Sequence, residues 1–303
     1  MEDYQIVQVQ QTEVLNAINR AEIDIQISTA KQYPRHLPSV LNQIKTYATM
    51  DEDTASECFY ALYRNGANGS TQVIEGLSVR MAEIIAGAWG NLRVATRIIG
   101  NDGKTIKAQA VCHDLETNVA ISTEVDRSIT YKSGKTFSQD MQVVTGNAAA
   151  AIAFRNAVLK VIPKAVTKRV IEEVKKVAMG QALDLEKQRQ TLIQFFAKFN
   201  VSEQMILDLM QISKREELDS ERVFTLKGIY NAIKEGSSTV EESFTKPIRE
   251  RKQAEEAKKQ VADTKGKIDE AAKKQSQKPK DVVAEALNKQ NNGELFDQQT
   301  QEG

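Results

Sequence analysis

The chain has few of the residues that build cross-links and metal sites. Among its 303 residues there are two cysteines and two histidines. Cys58 and Cys112 are far apart, and neither belongs to a CxxC pair; His36 and His113 are equally isolated. The sequence therefore predicts buried free thiols, and it contains neither a disulfide framework nor a zinc-binding pattern.

Long apolar runs are also missing. The longest, Ala148 to Phe154, is far shorter than the roughly 18 residues that a membrane span needs. The acidic start Met1-Glu2-Asp3 differs from the cationic first region of a signal peptide. With 41% hydrophobic residues, the chain can still bury a sizeable core. We therefore expect a cytoplasmic protein that makes no membrane contact.

Neither sign of charge is in excess, but the charges are unevenly distributed. The chain has 41 Lys and Arg residues and 41 Asp and Glu residues. Residues 55–180 contain 16 basic and 11 acidic side chains, a net charge of +5, whereas residues 1–54 contain 4 and 8, a net charge of −4. Such asymmetry concerns binding partners rather than the fold. The central segment therefore predicts a polyanionic partner.

The periodicity of residues 51–180 predicts an α+β core. Three alternating segments between Leu92 and Val125 are separated by turn residues and predict a three-stranded antiparallel β-meander packed on helices. Pro163 separates two helices after the meander. The predicted order is α-α-β-β-β-α-α. The first helix contains Phe59, Leu62 and Tyr63, stops at Asn65-Gly66 and is followed by a loop. The other predicted helices are Leu77–Trp89, Gln139–Val161 and Lys164–Met179.

Three further segments flank this core. Residues 1–50 form an N-terminal arm in which Pro34 and Pro38 forbid one continuous helix. Residues 181–246 have apolar residues at helical spacing and predict a small module of three short helices that binds a partner. Residues 247–303 are rich in Lys, Glu, Gln and Ala, which predicts a disordered charged tail or a transient solvated helix.

Two motifs suggest chemistry but have a simpler explanation. Ser133-Gly134-Lys135-Thr136 resembles the end of a phosphate-binding P-loop, but the motif requires glycine where Ile129 stands. We therefore expect a hairpin loop and no ATP hydrolysis. An acidic group on adjoining strands could hold Mg²⁺ for a nuclease, although turn residues that face water explain most of it. Its members are His113, Asp114, Glu116, Glu124 and Asp126.

Basic residues of the core are spaced in a way that favours nucleic-acid contact over an ordinary solvated face. Arg93 and Arg97 lie at even spacing on one strand, and Tyr131 and Phe137 bracket cations of a polar loop. Charge combined with stacking surface is typical of single-strand binding. Arg155 interrupts an apolar helix, where a buried cation needs either an acidic partner in a salt bridge or a phosphate.

The sequence resembles the phage single-strand annealing proteins of the Erf, RecT and Red-beta type, most closely the Erf-like branch. The resemblance covers roughly residues 55–180. It depends on Gly76-Leu77-Ser78-Val79-Arg80-Met81-Ala82-Glu83 leading to Ala88-Trp89-Gly90-Asn91-Leu92-Arg93, and on Gly146-Asn147 leading to Arg155 and Val161-Ile162-Pro163.

The resemblance implies recombination chemistry that uses neither ATP nor a cofactor. Single-stranded DNA would lie in a basic groove between sheet and helix of a β-β-β-α core, and copies would assemble into a ring or helical filament in the host cytoplasm. A phage exonuclease or the host single-strand binding protein would be a further partner. The expected DNA-binding residues are Arg80, Arg93, Arg97, Lys104, Lys107, Arg127, Tyr131, Lys132, Lys135, Phe137, Asn147, Arg155, Lys160 and Lys164. A Mg²⁺-dependent nuclease and a protein-binding scaffold without DNA contact remain the alternatives.

Overall fold

The computed structural model describes residues 2–65, 71–180, 185–261 and 264–265. These residues form an α+β structure that is mostly helical and contains five strands. The elements, in chain order, are α1 (Glu2–Gln32), α2 (Leu37–Ala48), α3 (Glu52–Glu57), β1 (Phe59–Asn65), β2 (Thr71–Leu77), α4 (Val79–Trp89), β3 (Leu92–Asn101), β4 (Thr105–Asp114), β5 (Val119–Ser128), α5 (Gln139–Val161), α6 (Lys164–Ala178), α7 (Leu185–Ala197), α8 (Glu203–Met210) and α9 (Ser220–Lys234).

The N-terminal arm consists of two helices, and the second belongs to the core. Pro34 lies in the break between α1 and α2, as the sequence predicts. Pro38 does not interrupt α2, because it lies in the first turn of the helix. Backbone N–H groups of the first turn have no partner within the helix, so proline removes no helical hydrogen bond there. Val40 and Ile44 of α2 are buried in the main apolar cluster.

The predicted helix through Phe59, Leu62 and Tyr63 is wrong. These residues form strand β1, which pairs antiparallel with β2 in a separate two-stranded sheet. The spacing of the three apolar residues suits a helix, but aromatic residues also favour strands. The preceding helix, α3, ends at Glu57. Gly66, where the predicted helix was to stop, lies outside the described residues.

The predicted β-meander is confirmed. Strands β3, β4 and β5 pair in sequence order, and each is antiparallel to its neighbour. Asp102 stabilises the β3–β4 turn by accepting hydrogen bonds from the backbone amides of Lys104 and Thr105, at 2.8 and 2.6 Å. Asn118 adopts a left-handed φ of +57° in the second turn, a conformation that asparagine tolerates well.

Helix α5 covers one face of the meander, which we call the inner face. The inner residues of β4 are buried: Ile106, Ala108, Ala110, Cys112 and Asp114. The side of α5 that meets them has small residues at helical spacing: Gly146, Ala149, Ala153 and Ala157. A Cβ atom at Gly146 would lie 3.0 Å from the Ile106 Cδ1 atom, so small residues set how closely helix and sheet approach. The opposite face of the sheet is the outer face.

The sequence predicts three short helices in residues 181–246, and α7, α8 and α9 lie there around a second apolar cluster. The cluster includes Phe196, Leu209 and Ile229 of these helices, together with Phe244. Ala61 of β1 also belongs to it. A Cβ atom on Gly228 of α9 would lie 2.9 Å from the backbone nitrogen of Ala61, so the hairpin β1–β2 packs directly on this module.

The chain divides into two compact units, Met1–Ile248 and Arg249–Gly303. In the second unit, residues 249–261 and 264–265 are helical. The prediction of disorder for the rest of the tail falls on residues 262–263 and 266–303, which lie outside the described residues. Among the described helices, none is long and apolar enough to cross a bilayer.

Candidate nucleic-acid interface

Six of the predicted site residues come together at one end of the meander. We call them the sheet-tip surface: Lys104, Arg127, Tyr131, Lys132, Lys135 and Phe137. The loop after β5 folds back onto the β3–β4 turn through two hydrogen bonds. The Ile129 amide donates to the Lys104 carbonyl oxygen at 2.8 Å, and the Thr136 hydroxyl donates to the Gly103 carbonyl oxygen at 2.9 Å. This backbone pairing holds the loop cations beside the turn cation.

The loop is the tight hairpin that the sequence predicts, and its geometry differs from that of a P-loop. Thr130 and Thr136 form an antiparallel bridge. The Tyr131 amide donates to Lys135 and the Gly134 amide donates to Tyr131, at 2.8 and 2.9 Å. These amides are therefore occupied within the hairpin and do not point together at a phosphate. Gly134 has φ +81°, a left-handed conformation that glycine adopts without a steric cost.

The two aromatic residues of the loop pack against each other and leave the Tyr131 ring accessible. The rings of Tyr131 and Phe137 pack edge to face, with centroids 4.7 Å apart and planes at 67°. Phe137 is anchored, because its amide donates to the Ile129 carbonyl oxygen at 2.7 Å. Tyr131 is 50% exposed, so its ring is available for stacking. A base could stack here without any contact to its hydrogen-bonding edge.

The cations of the sheet-tip surface differ in their partners. Lys104 and Lys135 are exposed and Arg127 is partly exposed, and none of the three forms an ion pair with another residue that the structure describes. Lys132 donates to the carboxylate of Glu241. Three of the four cations are therefore available to an anion without breaking an internal pair.

The acidic residue closest in sequence to Lys104 is Asp102, whose carboxylate accepts hydrogen bonds within the β3–β4 turn. Hydrogen bonds from the backbone amides of Thr105 and Lys104 lower the pKa of Asp102. Asp140 lies in the first turn of α5, where the positive end of the helix dipole favours a carboxylate. Lys132 is therefore the one cation of this surface that a described acidic side chain neutralises directly.

Exposed apolar side chains lie beside the tip, and they were not among the predicted site residues. Ile98 and Ile99 are 47% and 42% exposed, at a bulge where the pairing of β3 with β4 shifts by one residue. Met141 and Val144 are also exposed on the first turns of α5. The Ile98-Ile99-Gly100 run interrupts the alternation of β3, which is the sequence signal of such a bulge.

Other predicted site residues lie on the outer face of the sheet, away from α5. Arg97 is exposed there. Lys107 lies between Glu124 and Asp126, with nitrogen–oxygen distances of 3.5 and 3.6 Å. Arg93 is at the opposite end of β3 from the tip, where its guanidinium donates to Gln26 of α1 at 3.2 Å. The two carboxylates neutralise Lys107, and the length of β3 separates Arg93 from the tip.

The remaining predicted surface residues are scattered over the helices. Arg80 of α4 pairs with Glu83 at 2.7 Å. Asn147 and Lys160 are exposed on α5, and Lys164 begins α6. The basic groove between sheet and helix that the resemblance implies is therefore not formed by these residues. Apolar side chains fill that interface, because α5 must bury its small-residue side against β4.

Arg155 is buried, with 8% of its surface exposed, and lies against an aromatic ring instead of a surface. Its guanidinium carbon is 4.6 Å from the centroid of the Tyr60 ring, and it donates to Asn156 at 3.3 Å. The Nη1 atom has no hydrogen-bond partner among the described residues. Among the described residues, no carboxylate forms an ion pair with Arg155. Arg155 belongs to the packing between α5 and the β1–β2 hairpin.

Glu235 is the carboxylate that influences Arg155 electrostatically. Burial raises the pKa of Glu235, and this outweighs the opposing effects of the Val79 amide and the Arg155 cation. The Val79 amide donates to Glu235 at 3.4 Å. Glu235 therefore caps the start of α4 from the end of α9.

The acidic group proposed for Mg²⁺ is divided between two sites. Asp114 accepts both terminal guanidinium nitrogens of Arg35, at 2.6 and 2.7 Å, and the Trp89 indole nitrogen at 3.2 Å. It is 3% exposed, so the expectation that these residues face water is wrong for Asp114. Asp126 pairs with Lys107, seven residues along β4 from Asp114, which separates the two carboxylates by roughly 20 Å. Among the described residues, no cluster of three His, Cys, Asp or Glu side chains fits a metal ion.

Arg35 is the residue of this network that the sequence did not indicate. Its guanidinium also lies 4.6 Å from the centroid of the Trp89 ring and 3.0 Å from Glu116. A partner 79 residues away leaves no pattern in a single sequence.

Comparison of the chain with protein-family models, curated proteins and solved structures found no match.

Proposed function

We propose that this protein binds single-stranded DNA through the sheet-tip surface and anneals complementary strands without ATP. The observation that carries the proposal is that three cations, which form no ion pair with another described residue, meet an exposed tyrosine at one hydrogen-bonded hairpin end. The earlier resemblance to phage annealing proteins, of the Erf type above all, supports the same activity.

The chemistry of this surface suits a flexible anionic strand. Lysine and arginine neutralise phosphates, and the Tyr131 ring offers a face on which any base can stack. Contacts of this kind position the backbone and read no sequence. Base edges would stay open to solvent and to a complementary strand, as annealing requires.

A single copy would bind weakly. If Lys104, Arg127 and Lys135 each neutralise a phosphate, the logarithm of affinity falls with a slope of about −2 against the logarithm of salt concentration. A fourfold rise in salt would then weaken binding about 16-fold. Copies assembled on one strand, as a ring or a filament, would raise the effective affinity by orders of magnitude. The helical module is the proposed contact for an exonuclease or a host single-strand binding protein.

Binding is tested with a charge-matched pair of variants. Fluorescence anisotropy of a labelled oligonucleotide at low salt would compare K104A/K135A with K168A/K176A, which removes the same charge from exposed positions on α6. We expect K104A/K135A to weaken binding at least about tenfold more than the control, since each lost phosphate contact is worth roughly 1 kcal/mol. Equal affinities of the two variants would refute the assigned surface.

Annealing is tested with two complementary oligonucleotides that quench each other's fluorescence on pairing. The protein should accelerate quenching without ATP, and K104A/K135A should remove most of the acceleration. Both strands should remain intact with Mg²⁺, whereas cleavage that a chelator abolishes would favour the nuclease alternative. Absence of any single-strand binding at low salt would favour the protein-binding scaffold.

A further inference from the structure

Helix α1 has an apolar stripe that no described part of the chain covers. Val14, Ile18 and Ile25 are 57%, 49% and 67% exposed, and Ala21 between them is exposed as well. Their spacing is four, three and four residues, which is the repeat of a coiled-coil seam. The same spacing extends in the sequence to Val7 and Tyr4, with Gln11 at one seam position.

A second apolar stripe, on the opposite side of α1, meets the body of the protein. Ile23 and Ile27 are partly buried and Ala30 is fully buried. At about 100° per residue, this stripe lies about 180° from the stripe of Val14 and Ile18. Packing against the body therefore leaves the seam directed outward.

The exposed part of α1 needs a partner to be a stable helix in water. Between Glu13 and Arg20, every side chain that the structure describes is exposed. Most helical stability in proteins comes from packing of an apolar face, and an isolated helix is marginal. Burial of each exposed Val or Ile against a partner would therefore stabilise the helix further.

We propose that α1 pairs with α1 of a second copy in a parallel, two-stranded coiled coil. Ile18 and Ile25 would occupy the a positions and Val14 and Ala21 the d positions. Isoleucine at a is one half of the pattern that favours two strands in parallel coiled coils; Val14 and Ala21 occupy the d positions, where leucine completes that pattern. An identical helix is also self-complementary, as a two-fold interface requires.

The charges beside the seam are compatible with this arrangement. Glu22 occupies an e position and Asp24 a g position. In a parallel, in-register pair, the side chain at g faces e of the following heptad in the partner. Asp24 would then face Thr29, and Glu22 would face Ala17, so no two acidic side chains oppose each other. This pairing needs no nucleic acid and is independent of the proposed DNA binding.

Disulfide trapping tests the geometry in the full chain without DNA. V14C and I25C should each form a linked homodimer rapidly, whereas N16C, on the opposite side of α1, should not. The native thiols give little background, because burial raises the pKa of Cys58 to about 12 and that of Cys112 to about 11. Linkage at N16C equal to that at V14C would overturn the proposal, and so would a preferred V14C–I25C heterodimer, which indicates antiparallel helices.

Sedimentation equilibrium tests the energetics. V14D/I18D should lower the average mass about twofold and weaken self-association at least about tenfold, because it places charges inside the seam. N16D/N19D adds the same charge to exposed positions outside the seam and should leave the mass unchanged. A monomeric parent protein, or equal masses for the two variants, would overturn the proposal. The exposed stripe of α1 would then bind a different protein or no partner.

Discussion

Replacing Asp114 by Asn should destabilise the protein at neutral pH, and about half as much at pH 3. Asp114 anchors α1–α2 to the sheet, because its carboxylate binds Arg35 from the segment between those helices and Trp89 from the end of α4. The backbone amide of Glu116 donates to the same carboxylate at 3.0 Å. Asparagine has nearly the same shape but no charge, so the substitution tests the charge itself.

The magnitude follows from the pKa of this carboxyl group. Burial alone would raise the pKa of Asp114, but hydrogen bonds from Arg35 and Trp89 outweigh it and lower the pKa from 3.8 to about 2. Such a difference between unfolded and folded states corresponds to about 2 kcal/mol of stability. Because the folded pKa is the lower one, this stability is fully present above about pH 4 and is lost as pH falls toward 2.

The assay is urea unfolding of the parent protein and D114N between pH 7 and pH 3. We expect D114N to be about 2 kcal/mol less stable at pH 7, and about half of that difference to remain at pH 3. Carboxyl groups that do not contact Arg35 titrate in both proteins and cancel in the difference. E124Q, which removes an exposed partner of Lys107, should change stability by less than about 0.5 kcal/mol. A D114N difference below 0.5 kcal/mol at pH 7, or one equal at both pH values, would refute the reasoning.

Two further predictions concern packing. G76A should lower the free energy of unfolding in denaturant by about 1–3 kcal/mol, because its Cβ atom would lie 2.5 Å from the Tyr60 ring. The control G87A meets no atom within 4 Å and should be neutral or stabilising. Equal stabilities of the two variants would contradict the close approach at Gly76. Cys58 and Cys112 should react with a thiol reagent at pH 8 at least about 100-fold more slowly in the native protein than in denaturant. The reason is that burial raises the pKa of both thiols. Rapid labelling of the native protein would contradict their burial.

Local patterns were sufficient to predict the meander and helix α5. Alternation and turn residues such as Asp102 are encoded within a few neighbouring positions, and Pro163 ends α5 whatever its surroundings. Strand β1 was missed although β2 follows it in the same hairpin, because the spacing of Phe59, Leu62 and Tyr63 also suits a helix. The packing of β1 on α9, which would decide between the two, involves distant residues. Gly228 contacts Ala61 across 167 positions of sequence, and that contact leaves no local signal.

The candidate site was only partly predictable for the same reason. The loop aromatics and lysines lie close together in sequence, so Tyr131, Lys132 and Lys135 were found as a group. Their meeting with Lys104 depends on how β5 and the β3–β4 turn align. Arg155 was recognised as an unusual buried cation, but Tyr60, the ring that covers it, lies on strand β1, for which the sequence predicted a helix.

The most direct test of the proposed function is the salt dependence of single-strand binding. Anisotropy titrations at about 50 to 200 mM salt would compare the parent protein, K104A/K135A and K168A/K176A on one labelled oligonucleotide. Each phosphate contact contributes about 0.7 to the slope, so removal of Lys104 and Lys135 should reduce a slope of about −2 to about −0.7, while the α6 control keeps the parent slope. Parallel slopes for all three proteins would contradict the claim that the sheet-tip surface holds the strand by its phosphates.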